Sequence, residues 1–312
     1  MTKKAKKWNK DYFWQQFPLH AMLLVPCALV LVYHYFPFIG ILMAFQKYVS
    51  TLDGFLPSLL SSKFVGLDVF RHIFTLPNTG EVLFNTVFIA VMKIVSLIFF
   101  PLVFALLLNE VYLSWFKRAV QVITFLPYFL SWVVLRGILF DVFSPRSEGI
   151  VNLLLGKLGV EPINFFGNSV IFPYMMVATN LWQQIGYNTI VILASISGID
   201  PTLYEAATID GAKRIKQMYY VTLPSVAPMV LLISILSLGN VLRAGFDQIF
   251  NMYSPSVYKT GDILDTFVYR LGIMQGSFSN ATAVGLFQSA VSMILIILSY
   301  WLAKKYSDYR IF

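Results

Sequence analysis

Long apolar runs alternate with short charged segments along this chain, and six of the runs approach the roughly 20 residues that cross a hydrocarbon core. They run from Leu19 to Phe36, Asn85 to Leu108, Ala119 to Phe140, Val170 to Ile196, Ala227 to Phe246, and Ala281 to Ala303. Each predicts one transmembrane helix. Pro26, Pro101 and Pro127 fall inside runs, where a missing N–H kinks a membrane helix that neighbours can still satisfy, so the runs are expected to stay whole. The pattern predicts an all-α integral membrane protein with a basic tail at 1–18, a transmembrane domain at 19–303 and a short tail at 304–312.

Composition agrees. Of 312 residues, 58% are hydrophobic and 12% charged, with mean hydropathy +0.71, so a water-facing exterior cannot be built. The run after the basic start is too long for a signal-peptide core and reads as a retained first span. Cys27 lies alone in an apolar run, which excludes a disulfide framework or thiolate metal site. The net charge of +8 comes from basic residues beside apolar runs, which reads as a topology signal and not as a nucleic-acid surface. Lys3, Lys4, Lys6, Lys7, Lys10, Lys117, Arg118, Lys213, Arg214, Lys216, Lys304, Lys305 and Arg310 share one side if both termini are cytoplasmic, as the positive-inside rule favours.

Polar residues inside the runs come next, because they are costly in lipid. In the fourth run Asn180, Gln183, Gln184, Tyr187 and Asn188 recur at helical spacing on one face. In the fifth, Asn240, Arg243 and Asp247 do the same, extended by Gln248. Amides and aromatics suit sugar hydroxyls and rings, and Arg243 suits a uronate or sulfate. The alternative is structural: amides joining helices, and Arg243 pairing with Asp247 at i+4. Lys93 and Arg136 are read as snorkelling or meeting one another, without a substrate role. The histidines are scattered and no nucleophile, base and orienter converge, so neither catalysis nor metal binding is expected.

One charged segment interrupts the apolar pattern with information of its own. At 198–226, Gly198 and Pro201 stop and restart the helix, Asp200 stands as an N-cap, and Leu203 through Asp210 read as a short helix. Gly211 permits a sharp turn, Ala212 through Val221 read as a second helix, and Pro224 and Pro228 lead into the fifth run. The result is a compact polar knob.

Glu205-Ala206-Ala207, then Asp210-Gly211-Ala212, then Leu223-Pro224 resemble the EAA loop of inner-membrane permease subunits of ABC importers. "YHYFPFIGILMAFQKY" and "NTVFIAVMKIVSLIFFPLVFALLLNEV" resemble the LplB-like, MalF-like permeases of carbohydrate uptake. The resemblance implies a type I importer permease fold in a bacterial cell membrane, importing an oligosaccharide or polysaccharide fragment. It implies that Tyr204, Glu205, Ala206, Ala207, Asp210, Gly211 and Ala212 form a coupling helix and bend seated on an ATPase. It also implies a second homologous permease subunit, two ATP-binding subunits carrying Mg-ATP, and an extracytoplasmic solute-binding protein. The chain has no G-x-x-x-x-G-K-[ST] loop and no cofactor of its own is expected, so hydrolysis belongs to the partner ATPases. A permease for peptide or amino acid, or a secondary transporter without an ATPase, are the competing readings.

Overall fold

The computed structural model describes residues 10–145, 149–239 and 241–306, with side chains between 17 and 301 within those ranges. Among them four helical stretches are long and apolar enough to cross a membrane: Phe17–Phe45, Thr79–Asn109, Arg214–Leu238 and Phe278–Trp301. Two bent helix pairs pass the same test when each is taken as one element, which brings the total to six. Helix α1 (Lys10–Val30) runs on through a π turn at Leu31–Tyr35 and a 3-10 segment at Phe36–Phe45. It is the most exposed span, with Ala44 and Gly40 its buried residues.

A small cap follows at the far end of α1. Strands β1 (Gln46–Lys47) and β2 (Lys63–Phe64) pair antiparallel with Gln46 opposite Phe64, flanking α2 (Phe55–Ser61). Helix α3 (Asp68–Thr75) lays Val69 and Ile73 onto the core, and α4 (Thr79–Asn109) then crosses as an uninterrupted helix despite Pro101.

The third apolar run departs from expectation. It is not one helix but α5 (Ser114–Phe125), a 3-10 turn at Leu126–Phe129, and α6 (Trp132–Val142), bent by 110°. Pro127 takes the tight turn, Leu130 goes extended, and Ser131 caps the restart by accepting from the Val134 N–H at 3.4 Å. A break buried in a bundle frees a carbonyl, and here Gln183 supplies the donor: its Nε2 lies 3.1 Å from the Leu130 oxygen.

After α7 (Ile150–Lys157), α8 (Phe172–Ser197) packs along α4. Helix α9 (Pro201–Ile209) follows at 69°. Then α10 (Arg214–Gln217), a π turn at Met218–Thr222 and α11 (Leu223–Leu238) form one continuous rod. The fifth span therefore starts inside the charged loop and ends at Leu238, short of the expected Phe246. The π turn sits just ahead of Pro224, which has no N–H to complete the ladder there.

Beyond α11 residues 241–245 carry no regular structure, and α12 (Phe246–Met252), α13 (Tyr258–Gly261) and α14 (Leu264–Tyr269) follow before α15 (Phe278–Tyr306) crosses last. Three apolar clusters hold the bundle. One joins Ile89, Leu135, Phe172, Met176 and Ile249. Another joins Ile73, Leu264, Phe267 and Val284, and the third packs Ala105, Ile196 and Val226 near the knob. At the opposite end Asp262 and Arg270 form a sheltered ion pair, and Asn85 donates to the Lys259 and Asp262 carbonyls at 3.0 and 3.3 Å.

Candidate functional site

Two places carry the candidate residues: the knob and the region around the broken fifth span. The knob is built locally. Asp200 caps α9 by accepting from the Thr202 N–H at 2.9 Å, and this hydrogen bond holds the Asp200 carboxyl below its ordinary range. Pro201 opens the helix at its first position. Gly211 turns the chain with φ at +76°, a conformation that a side chain with Cβ rarely adopts, and the Gly211 N–H closes on the Thr208 carbonyl at 3.0 Å.

Side chains then tie the two arms. The Tyr204 hydroxyl meets the Thr222 hydroxyl at 2.9 Å, while Gln217 Nε2 reaches Thr208 Oγ1 at 2.9 Å and the Ala212 carbonyl at 3.1 Å. Arg214 lies 3.5 Å from Glu110 and over the Tyr112 ring at 4.2 Å, fastening the knob to the end of α4. Glu205, Ala206, Asp210 and Gly211 stay exposed, with Ala207 and Ala212 half-buried. Leu203, Ile209 and Ile215 are exposed as well, Ile209 at 86% of its full accessible area. A stiff element thus offers small residues, a carboxylate and apolar side chains outward.

The fourth-span stripe divides. Gln183 is buried and serves the α5–α6 break; Gln184 Nε2 donates to Gln183 Oε1 at 3.1 Å, and Asn188 Nδ2 to the Gln184 carbonyl at 3.1 Å. Tyr187 stacks on Tyr128 with ring centroids 4.6 Å apart. Asn180 instead faces a cavity of about 200 Å³ shared with Lys93, Ser237, Arg243, Ala244 and Gly245.

The fifth-span stripe is not a helix face at all. Asn240 lies outside the described residues, Arg243 is in irregular backbone, and Asp247 sits in the first turn of α12. No ion pair joins Arg243 and Asp247 among the described residues, because the i+4 spacing has no helix to act through. Glycines at 239 and 245 bracket the break, and Gly245 adopts φ of +99°.

Sequence reasoning passed over the residue at the centre of this region. Lys93 is 7% exposed on α4; it neither snorkels nor meets Arg136, which lies over the Phe140 ring at 4.8 Å. Its ammonium donates to the Ala244 carbonyl at 2.6 Å and to Gln248 Oε1, whose amide nitrogen donates in turn to the Met176 carbonyl and Thr179 Oγ1, each at 2.8 Å. Gln288 Nε2 meets the Leu242 carbonyl at 2.8 Å on the other side. A lone lysine in an apolar run is the signal that marked it, and only its partners, about 150 residues away, give it a role.

Comparison with known proteins bears on the whole chain. Residues 84–311 match the family described as binding-protein-dependent transport system inner membrane component. The polygalacturonan/rhamnogalacturonan transport system permease protein YteP of Bacillus subtilis is 37% identical over 298 residues, covering 96% of this chain and 91% of the relative. Protein LplB of the same organism is 37% identical over 292 residues, covering 93% and 90%. A chain from the crystal structure of a bacterial ABC transporter that imports the acidic polysaccharide alginate superposes with TM-score 0.85 at 31% identity, over 96% of this chain and 99% of that one. A second structure of that kind, in complex with an alginate pentasaccharide-bound periplasmic protein, matches at 30% identity and the same TM-score, over 96% of this chain and 98% of that one. With the broken spans, the exposed knob and these matches together, the chain belongs to the binding-protein-dependent transport system inner membrane components, the permease subunits of ABC importers.

Proposed function

We propose that this chain is the permease subunit of an importer that carries an oligosaccharide or polysaccharide fragment into the bacterial cell. The observation that carries this reading is the end-to-end match to permeases named for polysaccharide transport, on a fold shared with an alginate importer. The free energy for transport comes from partner ATPases. Glu205 and the small faces of Ala206 and Ala207 dock in a groove of one ATPase, Tyr204 braces the hairpin, and Gly211 holds its bend between Asp210 and Ala212. The knob faces the cytoplasm, with both termini.

ATP-driven approach of two such knobs, one from this chain and one from a homologous second permease, rocks the bundle between its two access states. A solute-binding protein delivers the sugar at the opposite end, where the cap around α2 and α3 and the segment α12–α14 form the receiving surface. Asn180, Arg243 and neighbouring residues line the route. The test is uptake of labelled oligosaccharides by cells lacking this chain, with and without its restoration. Uptake that returns with the chain and disappears when the ATPase is inactivated supports the reading. Restored uptake that ignores the ATPase overturns it in favour of a secondary transporter.

A further inference from the structure

The cavity beside the broken fifth span is lined by two basic side chains and no acidic one. Lys93 and Arg243 line it with Asn180 and Ser237, and the remaining walls are aliphatic or backbone. Lys93 is more than nine-tenths buried, and both of its acceptors, the Ala244 carbonyl and Gln248 Oε1, are neutral. No carboxylate lies within ion-pair distance of either cation among the described residues. Arg243 makes no hydrogen bond there either, and the acid electrostatically coupled to it, Asp265, is held elsewhere by Gln288 at 2.9 Å. Gly245 is needed for this arrangement twice over. Its φ is positive, and a Cβ on it would stand 3.1 Å from the Lys93 ammonium.

We infer that this cavity is an anion-reading station on the transport route, where Arg243 contacts the carboxylate of an acidic sugar residue and Lys93, bonded to Ala244 and Gln248, holds the segment that presents Arg243. Arg243 forms no ion pair among the described residues, so an anion entering the cavity meets a guanidinium free to form a charge-assisted contact. Arg243 stands on irregular backbone, exposed toward the open space, and its planar fork matches a carboxylate. Asn180 and Ser237 lie where they can meet ring hydroxyls of the same sugar. Lys93 does not need to touch substrate: its geometry is spent on Ala244 and Gln248, which makes it a positioning residue for the loop that bears Arg243.

This inference rests on the carbohydrate-permease reading, and the experiment separates the two. The complete transporter, reconstituted in vesicles with saturating solute-binding protein, is given a uronate oligosaccharide or the same oligosaccharide with its carboxyl groups reduced to alcohols. Arg243→Gln is expected to slow uptake of the acidic sugar about tenfold, the loss of one charge-assisted contact. Uptake of the reduced sugar should change less than about twofold, and Arg243→Lys, which keeps the charge but loses the planar fork, should recover part of the acidic uptake and exceed the Gln variant. Equal effects of Arg243→Gln on both sugars, a Lys variant as slow as the Gln variant, or acidic uptake that stays near the unsubstituted rate would each overturn the anion station. Failure of the unsubstituted transporter to move either sugar would instead overturn the carbohydrate reading.

Discussion

The knob and the cavity at the fifth-span break are both polar intrusions into an apolar chain, yet they are made in opposite ways. Apart from the two contacts of Arg214 with Glu110 and Tyr112, the side-chain contacts that tie the knob join residues within about twenty positions of each other: Asp200 to Thr202, Thr208 to Gln217, Tyr204 to Thr222. The cavity is held by Lys93 to Gln248 and Gln248 to Thr179, partners drawn from the spans α4 and α8 and from the short helix α12. Local construction leaves one face of the knob exposed. Construction from distant segments fixes the relative placement of helices and leaves a void between them. The difference teaches that a projecting element can be kept stiff independently of the bundle that carries it.

The largest test of that contrast strikes the knob. Replacing Glu205 with Arg and Gly211 with Val together should reduce uptake by about 5- to 150-fold, the span of an ordinary coupling free energy, while membrane insertion measured by fractionation stays normal. Normal uptake in that variant would remove the lever from the mechanism.

Next comes the bundle. Gln248→Leu deprives the buried Lys93 ammonium of an acceptor and should destabilise the purified transporter by about 2–3 kcal/mol, read as a lower melting temperature. Lys93→Met should add little once Gln248 is gone, because the two act as a unit, and full additivity in the double-mutant cycle would break the network. A smaller effect belongs to Tyr204→Phe, which removes the hydroxyl pair to Thr222 and should cost about 1 kcal/mol of local stability, seen as faster amide exchange in α9 with little change at α4.

The smallest effect is a pH dependence. Thr202 holds the Asp200 carboxyl below its unfolded value, so the cap is fully present above the ordinary carboxylate range and is lost only as pH falls through the depressed value. Amide exchange in α9 should therefore quicken only under acid conditions, and Asp200→Asn, which keeps a capping oxygen, should flatten that response. A transition near neutral pH would assign the cap to some other group.

Most of the fold was legible where physics is local. Runs of apolar residues placed the spans beginning with α1, α4, α8 and α15, and Asp200-Pro201 with Gly211 placed the knob and its bend to within a few residues. Two readings failed for one reason. The third run, treated as unbroken, turns at Pro127 and Ser131. The fifth, placed at Ala227 to Phe246, begins in the loop and stops at Leu238. In both cases hydropathy cannot see a break whose freed carbonyls are satisfied from far away, by Gln183 for Leu130 and by Lys93 and Gln288 for Ala244 and Leu242. The helical spacing of Arg243 and Asp247 was real in the sequence, but it had no helix to give it meaning.

By itself the sequence determined that the chain lives in a membrane, where its long helices run and where a polar knob leaves them, because burial of apolar length and the chemistry of caps and turns depend on neighbours along the chain. Only the tertiary structure decided which intramembrane polar residues brace the bundle and which face open space. A buried donor is committed by the acceptor that reaches it. For Lys93 that acceptor is a carbonyl more than a hundred residues away, and the cavity beside it exists because those distant segments meet there.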